Sequence, residues 1–118
     1  MESRKLDYGN IAYFKMVGDS MNNGLRNAIG NGDTLVCAPI KVGELVIGDM
    51  VAVESSESVV VGVVDNVGKS FVTLSRLNPR FGNKRILVRR TTFYLVLETR
   101  RKMAAAYDGT LICLKGLA

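Results

Sequence analysis

Five valines stand in the seven residues Ser58-Val59-Val60-Val61-Gly62-Val63-Val64. Side chains branched at Cβ are crowded against the preceding turn of a helix and sit comfortably on a pleated strand. A run this short, bounded by polar turn residues on both sides, reads as a buried strand. Gly62 inside it marks a bulge or a close backbone contact. The same grammar repeats along the chain. Residues 11–17, 33–40, 49–54, 71–77, 85–90 and 92–99 are each short, apolar or alternating, and end at Gly, Pro, Asn, Asp or Ser. In 71–77, Val72, Leu74 and Arg76 share one face, and Phe71, Thr73, Ser75 and Leu77 share the other. Residues 19–31 read as a loop or one irregular helical turn. Residues 41–47 form a connection, and 55–57 and 65–70 form turns. No long amphipathic helix is visible. The expected fold is all-β, a partly closed barrel or sandwich of about seven short strands with at most short helical turns. The tail is less regular: 104–106 suits a helical turn and 110–114 a last strand.

A length of 118 residues fits one domain, and no repeat or low-complexity linker suggests a second. An apolar share of 47% with 23% charged residues excludes a disordered chain. No apolar stretch has the length of a membrane span, and the first ten residues lack a secretory apolar core, so the expected compartment is the cytoplasm. His is absent, which excludes His-based triads and His metal sites. Cys37 and Cys113 lack metal-ligand spacing and read as small buried apolar groups, with a disulfide open only if the fold joins them. No cofactor, metal or small-molecule substrate is expected.

Charge is uneven. The formal charge is +5, yet residues 80–102 carry eight basic side chains against Glu98 alone. Such a segment suits a phosphate backbone. It also suits a solvated strand edge whose cations discourage aggregation.

The segment 16–36 carries the chemistry. A strand runs into Gly18-Asp19-Ser20-Met21, then a loop, then Gly32-Asp33 and another strand. A Ser after a strand and a Gly can project its hydroxyl from a sharp turn whose N–H groups face a substrate carbonyl oxygen. Asp19 is expected to orient its loop, and Asp33 and Asp49 to make turns. Met21 suits either the wall of a cleft or the core.

Taken in order, Gly18-Asp19-Ser20-Met21, Gly32-Asp33, Gly48-Asp49 and Leu74-Ser75-Arg76-Leu77-Asn78-Pro79 resemble the C-terminal domain of LexA-like repressors. That family includes phage repressors and UmuD-type self-cleaving proteins and is distantly similar to bacterial signal peptidases. The resemblance spans residues 14–97. It implies a mostly-β, usually dimeric domain, joined in DNA-binding members to an N-terminal helix-turn-helix; residues 1–118 are expected to hold the C-terminal domain alone. It also implies a Ser–Lys dyad that cuts the protein's own linker with the help of a RecA filament, with Ser20 at the nucleophile position.

The chain departs from that pattern. Ser needs a base, and a Lys serves only when burial keeps it neutral. The family's Lys lies on the second strand of the hairpin, and counting along the hairpin puts Gly62 there. Val61 and Val63 are no better, and Lys15, Lys41 and Lys69 lie elsewhere. A lysine introduced at 62 is expected to reach Ser20. An Ala-Gly or Cys-Gly cleavage site is missing before Ser20. The expected function is therefore a catalytically degenerate dimerisation and regulatory domain of a LexA-like or phage-type repressor, with DNA bound through a separate N-terminal domain and self-association through residues 85–99 or 111–117. The alternatives are an active Ser20 self-cleaving serine peptidase and a barrel that binds nucleic acid through its basic segment.

Overall fold

The computed structural model describes residues 6–25, 28–56 and 58–101. Seven antiparallel strands form one curled half-barrel sheet: β1 (Ala12–Lys15), β2 (Thr34–Ile40), β3 (Met50–Glu54), β4 (Val59–Val67), β5 (Phe71–Ser75), β6 (Lys84–Leu87) and β7 (Thr92–Arg100). Helical structure among the described residues is confined to 3-10 turns at Tyr8–Asn10 and Val42–Glu44. The expected all-β class is what the described residues adopt, and each of the seven strands expected between residues 11 and 99 exists. None of the described helices is long and apolar enough to cross a membrane.

The spatial order is β1-β2-β7-β3-β4-β5-β6. The last strand returns to pair with both β2 and β3, which leaves β1 and β6 as the two edges. Residues 85–99 therefore do not make one face. Their first part lies on the β6 edge and their last part on β7, with β3, β4 and β5 between. The other expected self-association segment, 111–117, and the tail elements at 104–106 and 110–114 lie outside the described residues.

Both faces of the sheet are buried. On one, Val51, Val53, Val64, Val72, Leu74, Phe93 and Leu95 pack together as the sheet curls on itself. On the other, Leu35, Cys37, Ala52 and Val61 are covered by Met16, Met21 and Ile29 from the segment joining β1 to β2. Met21 and Ile29 are 0% and 1% exposed. Burying a side chain of this size contributes roughly 1.5–3 kcal/mol. Met21 is thus core, and this burial fixes the loop that carries Ser20. Cys37 lies buried in the same cluster, without a disulfide partner among the described residues.

Two matching turns lead into β2 and β3. Asp33 accepts the Gly30 N–H on its carboxylate at 2.8 Å, and Asp49 accepts the Val46 N–H at 2.8 Å. The Gly before each Asp has a positive φ, +94° at Gly32 and +101° at Gly48, a region costly for residues with a Cβ. The repeated Gly-Asp pair is a turn device, as expected.

Candidate functional site

Beyond β1 the chain turns at Gly18, whose φ is +89°. The Asn31 side chain accepts the Gly18 N–H at 2.8 Å. Met16 closes the base of the loop, donating to the Asp33 carbonyl and accepting from Gly32 N–H, both at 2.8 Å. Within this frame Asp19 and Ser20 begin a turn, with the Asn22 N–H donating to the Asp19 carbonyl at 3.0 Å.

The turn is tied to a segment almost sixty residues away. The Asn78 N–H donates to the Ser20 carbonyl at 2.9 Å, and Asn78 Nδ2 donates to the Asp19 carbonyl at 3.0 Å. The Asn78 Oδ1 accepts the Arg80 N–H at 3.0 Å, which closes its own turn before Phe81. The sequence pattern predicts only that Asn78 ends a strand, and a tie to Ser20 is not legible from a turn-forming dipeptide. The bonds that hold Asp19 run through its carbonyl, whereas its residue type points to the side chain.

Ser20 is half-buried at the rim of a cleft of about 320 Å³. Phe14, Lys15, Met16 and Val17 line it together with Val59, Val60 and Val61 from the start of β4 and Arg76 after β5. Phe14 is steadied by an edge-on contact with Tyr94, with ring centroids 5.1 Å apart. Tyr94 in turn donates to Glu54 at 3.3 Å. Burial, and then the Glu54 carboxylate beside it, raises the Tyr94 hydroxyl above its ordinary pKa. The Arg76 Nε is buried without a hydrogen-bond partner among the described residues.

Gly62 does not face this cleft. A Cβ built there would stand 2.8 Å from the Leu74 Cβ and 2.9 Å from the Ser75 carbonyl oxygen. Position 62 thus points into the cluster on the other face of the sheet, and the expectation that a lysine there reaches Ser20 is corrected. Val61, on the face covered by Met21, lines the cleft with Ser20. The facing follows from regular pairing in the β3–β4 hairpin, where Gly62 stands opposite Val51 and Val61 opposite Ala52. Gly62 shares the face of Val51, and Val61 that of Ala52, which Met21 covers. A bulge interrupts β4 only beyond this point, where Asn66 pairs with Thr73 and Val64 with Leu74, so that Asp65 is skipped.

The chemical inventory is short. The Arg76 guanidinium offers only hydrogen-bond donors and cannot serve as a base. Lys15 lines the same cleft from an exposed position on edge strand β1, and no hydrogen bond joins its amine to Ser20 among the described residues. Lys41 follows β2, and Lys69 lies in the turn between β4 and β5. Among the described residues no group of His, Cys, Asp or Glu is arranged to hold a metal. No family model and no curated protein matches this chain.

Proposed function

We propose that this domain is a regulatory and self-association module of a LexA-like or phage-type repressor, with Ser20 in the nucleophile's place and no working base. The observation that carries this reading is the tie between Asn78 and the Asp19-Ser20 turn. Two motifs of the resemblance, far apart in sequence, meet at one cleft, which Val59–Val61 line together with Lys15 and Arg76. In this reading neither cation takes the Ser20 proton, since the Arg76 guanidinium offers only donors and Lys15 is exposed on edge strand β1 without a hydrogen bond to Ser20 among the described residues. Attack on a carbonyl carbon thus lacks its first step. What the fold retains is a scaffold. In this reading it pairs two chains so that two separate DNA-reading heads meet two half-sites, which raises the effective concentration of the second head. A RecA filament is then a partner inherited with the fold, without a cut to assist.

The rival reading, an active Ser–Lys peptidase, rests on Lys15 lining the same cleft. It requires that amine to be desolvated and turned toward Ser20.

Sedimentation equilibrium tests the association directly. The expected result is a reversible dimer whose dissociation constant is unchanged by Ser20→Ala. A chain that stays monomeric at the highest concentration reached overturns the proposal.

A further inference from the structure

Between Asn66 and Leu97 the sequence holds seven basic residues and no acidic one. The fold gathers most of them at one border of the sheet. β6 is an edge strand, with Lys84 and Arg85 exposed on it. The Val88 N–H donates to the Ser70 carbonyl at 2.9 Å. That bond brings the Arg89-Arg90 turn beside the hairpin turn carrying Lys69. Arg85 lies 5.0 Å over the ring of Phe71 on the neighbouring strand. Lys69, Lys84, Arg85, Arg89 and Arg90 are exposed, and none is ion-paired among the described residues.

The turn itself is held in a costly shape. Arg90 has φ +62°, in a region that residues with a Cβ seldom adopt. The Thr91 hydroxyl lies 3.0 Å from the Leu87 carbonyl and 2.8 Å from the Val88 carbonyl and clamps the turn. Leu87, Arg89 and Arg90 line a shallow hollow of about 360 Å³ there. Protecting an edge strand needs a charge or two on the strand itself. It does not call for cations on two turns beyond the strand, nor for a clamp that fixes one of them.

We propose that the β6 border, with its Lys69 and Arg89-Arg90 turns, binds the phosphate backbone of duplex DNA without reading its sequence. A single-sign field attracts a polyanion. Arginine, which supplies three of the five cations, offers a planar fork matched to phosphate oxygens. Among the described residues no helix lies there to enter a groove, so the contacts position the duplex and leave base edges unread. Phe71 lies beneath Arg85 and does not form a stacking platform for single strands. The inference does not depend on the repressor reading, since it concerns a different border of the sheet from the Ser20 cleft.

Fluorescence anisotropy with a labelled duplex of arbitrary sequence tests it. Four neutralised phosphates predict a log–log salt slope of roughly −3.6 and about a hundredfold loss of affinity for a fourfold rise in salt. Arg85→Glu and Arg89→Glu are each expected to weaken binding several-fold and to flatten the slope by about one for each phosphate left unneutralised. Arg100→Glu, which makes the same change in net charge at the far end of β7 from the Arg89-Arg90 turn, is expected to leave the slope as it was. Circular dichroism establishes that each variant is folded. Absence of duplex binding at low salt overturns the proposal, as does an equal loss from Arg100→Glu. Binding to anionic phosphatidylserine vesicles without binding to the duplex, or preference for a single-stranded oligonucleotide, overturns it as well.

Discussion

Gly62 is where two strands approach too closely for any side chain. Gly62→Ala must push against the Leu74 side chain and the Ser75 backbone at under 3 Å, and overpacking of this kind costs roughly 1–3 kcal/mol. Urea denaturation should show that loss, and Gly62→Lys should lose more. A wild-type midpoint for Gly62→Ala would mean that the β4–β5 contact is looser than described. Cys37 offers a second test at this scale. Burial pushes its thiol from 9.0 up to about 11. The folded state therefore favours the neutral thiol, and that contribution is intact below pH 9 and lost as pH rises toward about 11. Its size is about 2–3 kcal/mol. In a Cys113→Ser background, replacing Cys37 with Ala should remove this part of the alkaline loss of stability, as read from denaturation midpoints across that window. An unchanged pH profile would show that the thiol is not desolvated.

At the scale of elements, the segment joining β1 to β2 does the most. It covers one face of the sheet with Met21 and Ile29 and presents Ser20 beside them. Met21→Ala should cost roughly 2–5 kcal/mol, the range for emptying a buried side chain. It should also loosen the Ser20 turn, seen as faster amide exchange at Asn22 and Ile29. A loss no larger than a surface substitution causes would remove Met21 from the core. The strands themselves are legible in the sequence, because β-branched runs and Gly-Asp turns report local preference. The valine run predicts that β4 ends at Val64, yet the strand continues to Val67. The bulge that allows this depends on pairing with β5, which no local pattern in 58–70 announces. Ser20 is legible as a candidate from its own motif. The valines that line its cleft are not, because which face they occupy is set by pairing with β3 and by the segment that covers it. The Asn78 tie is hidden for a related reason: a backbone N–H reaching across the fold leaves no trace in residue type.

For the whole molecule, the curl of one sheet sets two separate regions. The cleft at Ser20 lies between β1 and the start of β4, while the basic border lies on β6. The surface pair of Arg100 with Glu98 at 3.3 Å, more than half exposed on both sides, adds little to stability. The fold is held by its two buried clusters, so charge changes on either region should alter binding or association with little effect on folding. The central claim is that Ser20 has no base. A fluorophosphonate reports this without any need for the linker a self-cleaving relative would cut, since it labels a serine only where a neighbouring group draws off the hydroxyl proton. Intact mass after incubation at neutral and alkaline pH is the measurement. The expected result is an unmodified chain, identical to Ser20→Ala. An adduct mapped to Ser20, absent in Ser20→Ala and in Lys15→Met, would contradict it and establish an active dyad.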